Sequence, residues 1–250
     1  MFNLAETPEK IVANPSKEEI SSLKKSNEAK GRFISILSHN VKAPLNYFHH
    51  VASFLEKNWE TLSDVEKKES ILALSESSEA MINLVQQVLM WSKARIPQQE
   101  EKPEFTNLKD TLEEVFEIYS GQARLKELEL ISELKGDILV QGDRRVIHLI
   151  LQNIISNAIK FSFNKSKIVG FVENESTLVI QDFGMGMSED ELDKLNNPSI
   201  AFTRKGTNNE EGTGVGMAIV YDLLPMLGAN ISFTSEPNKG TQAKISFNKL

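Results

Sequence analysis

An unbroken helical periodicity near the N-terminus constrains this chain more than any other feature. Ile20, Leu23, Asn27, Lys30, Ile34, Leu37, Val41, Pro44, Phe48, Val51 and Leu55 fall three and four residues apart, and only Asn27 and Lys30 among them are polar. That spacing is the seam of a long helix packed against other helices. Ser63-Asp-Val-Glu66 then forms a capping box, so a second helix starts after a short turn around residues 59–62. Its own seam is Ile71, Leu74, Ser78, Met81, Val85 and Val88. Two antiparallel helices bury too little by themselves to satisfy both seams. A homodimer that closes a four-helix bundle is the economical solution.

A chain of 250 residues leaves ample material for a second domain. Composition shifts at ARIPQQEEKPEF, where two prolines and several charges mark a linker. Beyond it the pattern alternates. Helices are predicted over Leu108–Leu125 and from an N-cap at Asp143 to about Phe161, with strands at Glu127–Leu134, Asp137–Val140, Lys167–Glu173 and Ser176–Gln181. A further capping box, Ser188-Glu-Asp-Glu191, opens a short helix, and a glycine-rich turn leads to a helix ending near Leu227-Gly228. Ile231/Phe233 and Ala243/Ile245/Phe247 alternate with period two, as half-buried strands do. The fold class read from this order is α+β: a helical hairpin, then a mixed domain with helices covering one face of a sheet.

Composition narrows the function classes. A net charge of −7 argues against general binding of nucleic acid or anionic membranes. No apolar run reaches the ~18 residues of a membrane span, and the N-terminus has no signal-peptide layout. Cysteine is absent, which removes disulfides and thiolate metal sites and suits a reducing compartment.

Three short segments of the second domain carry chemistry. In Asn153-Ile-Ile-Ser-Asn157-Ala-Ile-Lys160-Phe161, the two asparagines share a helix face, with Lys160 close to it. Carboxamides beside an ammonium suit Mg²⁺ held next to a polyphosphate, although a solvated helix face explains the pattern as simply. Asp182-Phe-Gly184-Met-Gly186 follows an apolar strand; a carboxylate there can accept from an exocyclic amine, and an ordinary Asp-Gly turn is the plain alternative. Gly212-Thr213-Gly214-Val-Gly216 opens a helix and offers backbone N–H groups to an anion, as many glycine-rich loops do.

The order and spacing of all three resemble the ATP-binding domain shared by sensor histidine kinases, type II topoisomerases, Hsp90 and MutL (the GHKL type, an α/β sandwich). The resemblance implies ATP and Mg²⁺ as cofactors. It makes Asn157 the metal-binding asparagine and Asp182 the adenine-binding aspartate, and it puts Gly212, Thr213, Gly214 and Gly216 at the phosphates. Asn153, Lys160, Phe161, Gly184 and Gly186 join the nucleotide site. Residues 201–211 become a mobile lid whose Arg204 and Lys205 meet phosphate charge, and Gly240-Thr241 also fits the family.

SHNVKAPL, Ser38 to Leu45, resembles the phosphoacceptor box of sensor histidine kinases, usually SH(E/D)LRTPL. That implies the cytoplasmic core of such a kinase, alone or as the intracellular part of a membrane receptor. The implied domains are a lead-in over 1–16, a dimerisation and phosphoacceptor domain over 17–95, a linker over 96–106 and the ATP-binding domain over 107–250. His39, opposite the seam, would take the γ-phosphoryl group and pass it to an aspartate on a response regulator receiver domain, the partner in two-component signalling. Pro44 bends the helix one turn past His39, where flexing is useful. Two positions depart from the family: Asn40 replaces the usual carboxylate beside the histidine, and Ala43 replaces Thr or Asn. The competing readings are a GHKL ATPase and a non-catalytic scaffold that binds nucleotide and partners.

Overall fold

The computed structural model describes residues 31, 38, 41–94, 105–197, 200, 202–210, 212 and 214–248. His39, Asn40, Thr213, the lead-in and the seam positions before Val41 lie outside the described residues. Residues 41–58 form helix α1, which runs through Pro44. The chain turns where the amides of Thr61 and Leu62 both donate to Asn58 O, and α2 spans Asp64–Ala94. Its start is the expected capping box: Ser63 N donates to Glu66 Oε2 at 2.8 Å and Glu66 N donates to Ser63 Oγ at 3.3 Å. Ser77 Oγ donates to the carbonyl of Pro44 at 2.8 Å and pins the two helices together.

The remaining elements are β1 (Phe105–Asn107), α3 (Leu108–Leu125), β2 (Glu129–Ser132), β3 (Leu139–Gln141), α4 (Arg144–Phe161), β4 (Lys167–Asn174), β5 (Thr177–Asp182), α5 (Glu189–Asn196), α6 (Val215–Leu223), a 3-10 turn (Leu224–Leu227), β6 (Asn230–Glu236) and β7 (Gly240–Ser246). A five-stranded mixed sheet has the order β2-β4-β5-β7-β6, with only β2 and β4 parallel. The alternation of the sequence is used in register: Gly170 faces Ile180, Ile180 faces Ala243, and Leu178 and Ile231 both face Ile245. These residues line the sheet face on which α3, α4 and α6 pack, and Leu112, Ile147, Ile150, Leu151, Ile155, Ile168, Leu178 and Ile219 are fully buried there. Gly170 permits the closest approach, because a Cβ at this position would lie 2.4 Å from Leu112 Cδ2. The α+β domain with a mixed sheet is as read from the sequence.

Phe105 and Thr106, expected in the linker, instead belong to β1, which pairs antiparallel with β3. Three residues are too few for alternation to show, and the pairing partner lies far along the chain. Asn107 caps α3 by accepting from Lys109 N. The C-terminal half of α2 packs on α4 and α6, so Leu84 and Ala94 enter the same core as the sheet. Trp91 Nε1 donates to Asp222 Oδ2 of α6 at 2.7 Å across that contact. Elsewhere the hairpin leaves seam positions such as Ile71 (52%) and Val85 (55%) exposed, while Leu55 is buried. Among the described residues no helix is long and apolar enough to cross a membrane.

Candidate functional site

A cavity of about 340 Å³ opens between α4, α6, the sheet, the 202–212 segment and the side of α2. Its size suits one ligand of nucleotide dimensions. Asp182 stands at its base. The residue continues the inward phase of Leu178 and Ile180 at the end of β5, so the strand periodicity itself delivers a carboxylate to the buried face. Asp182 Oδ1 accepts from the amides of Gly184 at 3.0 Å and Thr241 at 3.2 Å. Both backbone donors use one oxygen, which leaves Oδ2 for a group entering the cavity. Burial pushes the Asp182 carboxyl up to about 6, against the lowering effect of those two amides and of Arg204.

The glycines around Asp182 are required by close backbone approach. A Cβ on Gly184 would lie 2.0 Å from Phe161 O, and one on Gly240 would lie 2.1 Å from Asp182 O. Gly186 has φ 58° and Gly214, the N-cap of α6, has φ 67°. Gly214 and Gly216 line the cavity at the start of α6, where the positive end of the helix favours an anion.

The last two turns of α4 supply the polar wall. Asn157, Lys160 and Phe161 line the cavity. Lys160 Nζ donates to Arg204 O at 3.2 Å and lies 4.9 Å from the centre of the Phe161 ring. Gly212 sits against this ammonium: a Cβ there would meet Nζ at 2.6 Å. Asn153 is placed differently from its helical neighbour. Its Nδ2 donates to Leu149 O at 2.8 Å, and a Cβ on Gly216 would lie 2.7 Å from its Oδ1. The side chain is therefore committed to packing α4 against α6 and forms the cavity wall through that contact.

Arg204 also departs from the expectation. Its guanidinium donates to Gly186 O at 2.6 Å, pairs with Glu191 at 3.2 Å and lies 4.9 Å from the centre of the Phe161 ring. It braces α5 against the Asp182 loop instead of reaching toward the glycine-rich turn. Lys205 is exposed. The expected lid is anchored over part of its length, since Gly206 N donates to Glu210 O at 2.8 Å and Thr207 N to Lys160 O at 3.1 Å.

Several cavity residues carry no local signal. Thr241 acts through its backbone amide, and Tyr119, Gln122 and Met187 reach the cavity from α3 and the Asp182 loop. Asn83, Gln86, Gln87 and Met90 reach it from α2. A docked helix face cannot be read from either helix alone. His49 and His50 are exposed on α1, while His148 lies half-buried 3.8 Å from Glu114.

The residues fit a nucleotide. A buried carboxylate oxygen faces the cavity at one end, and a lysine and helix N–H groups meet it at the other. No cluster of three or more His, Cys, Asp or Glu able to hold a metal exists among the described residues. A divalent cation would rest on the Asn157 carboxamide oxygen and on oxygens of the ligand itself, a coordination that suits Mg²⁺.

Comparison with known proteins agrees with this geometry. Residues 142–250 match the family described as histidine kinase-, DNA gyrase B- and HSP90-like ATPase. The chain is 27% identical over 220 residues to a sensor-like histidine kinase of Rhizobium meliloti, covering 86% of this chain and 42% of the relative. It is 29% identical over 250 residues to the autoinducer 2 sensor kinase/phosphatase LuxQ of Vibrio cholerae, covering 94% of this chain and 28% of the relative. The chain thus spans less than half the length of these curated relatives. The crystal structure of histidine kinase ThkA in complex with response regulator protein TrrA superposes with a TM-score of 0.62 at 21% identity, over 95% of this chain and 68% of that one. At that identity the likeness shows the fold.

Proposed function

We propose that this protein, whose residues 142–250 match the histidine kinase-, DNA gyrase B- and HSP90-like ATPase family, is the catalytic core of a sensor histidine kinase. A domain of this family implies ATP binding. The observation that carries the reading is Asp182: a buried carboxylate with both backbone donors on one oxygen and the other turned to a cavity of nucleotide size. Such an oxygen accepts from the exocyclic amine of adenine. Lys160 and the start of α6 then face the phosphates, and Asn157 would hold a Mg²⁺ that supplies charge neutralisation there.

In the reaction a ring nitrogen of His39 attacks the γ-phosphorus. The N–P bond forms as the bond to the β,γ-bridging oxygen breaks, ADP leaves, and the remaining ring N–H proton passes to solvent. The protein contributes position and charge neutralisation more than covalent chemistry. Asn40 accepts from the other ring N–H and holds the tautomer, but it cannot take up a proton. The phosphoryl group then passes to an aspartate of a response regulator, a partner class supported by the likeness to ThkA, which was crystallised with one. The exposed large hydrophobic residues along the hairpin, among them Leu45, Phe54, Ile71, Ile82, Val85 and Leu89, support a homodimer closing a four-helix bundle.

The test is phosphate transfer itself. With Mg-ATP the protein should acquire acid-labile phosphate that His39→Gln removes. ATP binding or hydrolysis without phosphate on the protein would replace this reading by a scaffold or an ATPase. Asn40→Asp should speed single-turnover labelling, by something like the ~10²-fold or more associated with general-base help. Ala43 offers no group to orient a water, so dephosphorylation of the regulator should be slow and Ala43→Thr should raise it.

A further inference from the structure

Lys126 is the C-cap residue of α3, and its side chain is only 5% exposed. Its ammonium sits against the C-terminal end of α4. Nζ donates to Ile159 O and Lys160 O at 2.9 Å each, with Ser162 O farther off at 3.4 Å. These are carbonyls that a helix end leaves without intrahelical donors, at the negative pole of its dipole. Nζ also donates to Thr207 Oγ1 at 2.7 Å and pairs with Glu210 Oε1 at 2.7 Å. One buried cation with three N–H donors therefore serves five acceptors on two segments far apart in sequence.

The segment it holds is tightly built. Thr207 Oγ1 donates to Ser162 O at 2.7 Å, and Asn208 N donates to Glu210 Oε2 at 2.8 Å. Asn209 N donates to Gly206 O at 3.1 Å. Gly206 lies so close to α4 that a Cβ would meet Lys160 O at 2.8 Å. Burial alone would raise the Glu210 carboxyl; its hydrogen bonds, with Lys126 first among them, overcome that and hold it below the usual range.

We propose that Lys126 is a positioning residue for the phosphate end of the nucleotide cavity. It staples residues 206–210 to the last turn of α4, and so sets where Asn157, Lys160 and Phe161 stand. The inference rests on the nucleotide reading of the cavity. It divides the 202–210 segment in two. Residues 206–210 act as part of the domain wall through Lys126, whereas Arg204 is held separately, by Glu191 and Gly186. The adenine end, anchored by Asp182 on β5, does not depend on the staple.

That asymmetry supplies the test. Lys126→Met removes the charge at nearly constant length; Glu210→Ala breaks the staple from the half-exposed side and leaves α3 and α4 intact. In both variants, amide exchange at Gly206, Thr207 and Asn209 should accelerate about tenfold or more, while core strand amides of β5 and β7 keep their protection. ATP affinity should fall several-fold, and adenosine affinity should be unchanged. Unaltered exchange at these three amides in Glu210→Ala would overturn the staple. Faster exchange with an unaltered ratio of ATP to adenosine affinity would overturn its role in positioning, leaving Lys126 a helix cap. A wild-type chain that binds neither ATP nor adenosine would sink the nucleotide reading instead, and the exchange measurement would still judge the staple.

Discussion

The helical hairpin and the α+β domain solve the burial problem in different ways. The domain closes its core within one chain: Leu108, Leu112, Val115, Leu151 and Ile155 are all at 0% exposure. Between residues 41 and 94 the hydrophobic residues counted as buried are Leu55, Leu84 and Ala94, and the last two are buried by joining the domain core. A sheet with helices on one face satisfies itself, whereas a two-helix hairpin has one seam too many. The hairpin's stability is therefore set by what it docks on: the domain at one end and, in the proposed dimer, a second copy along its length.

The largest expected effect separates the two directly. Ile155→Ala should destabilise the domain by about 2–5 kcal/mol at any protein concentration, read by denaturant unfolding. Val85→Asp should leave that transition in place and convert a dimer to monomers, because a charge is placed in the proposed bundle core. Sedimentation that finds the unaltered protein monomeric at micromolar concentration would break this side of the comparison.

Next in size, Asp182→Asn keeps the side-chain volume but turns an acceptor into a donor for one orientation of the amide. Adenosine affinity should fall by about 1–3 kcal/mol in calorimetry, with no change in dimerisation. Equal affinity in the variant would move the adenine end elsewhere.

The raised carboxyl of Asp182 predicts a pH signature of the domain. Below its ordinary value of 3.8 the group is protonated in both folded and unfolded chains and contributes nothing. Between 3.8 and about 6 the folded chain retains a proton that the unfolded chain has lost, so this group's contribution to stability declines as pH rises and levels off above about 6. Adenosine binding should run the other way, strengthening as pH rises through about 6 and the acceptor becomes charged. Asp182→Asn should flatten both profiles. A binding profile unchanged by the substitution would assign the titration to another group.

The smallest effect tests the seam between the regions. Trp91→Phe keeps an aromatic ring but removes the indole N–H that reaches Asp222, and the lost hydrogen bond should weaken docking of α2 by about 0.5–1.5 kcal/mol. Faster exchange in the last turns of α2, with α4 unaffected, is the expected result. No change there would mean that packing around Leu84 and Ala94 holds α2 without the hydrogen bond.

Much of this was legible because it is local. The capping boxes at Ser63 and Ser188 and the N-cap at Asp143 form as the sequence announces them, since each links residues two or three apart. The strand phase that carries Leu178 and Ile180 inward also carries Asp182, so the central site residue was readable from its neighbours. Helical spacing was less decisive for Asn153 and Asn157. Four residues put them on one face, but the arrival of Gly216 against Asn153 divided that face into packing and cavity.

By itself, then, the sequence determined the longer elements, the caps at Ser63, Asp143 and Ser188, the inward phase of Asp182 and the glycines that permit close backbone approach. Each of these depends on periodicity or on hydrogen bonds spanning a few residues. Tertiary structure alone decided that Arg204 turns to Glu191 and Gly186, that Thr241 donates to Asp182, that α2 lines the cavity, and that Lys126 gathers Thr207 and Glu210 onto α4. A long charged side chain has many reachable partners. Which acceptors it finds depends on which distant segments the closed core has already brought within 3 Å or so.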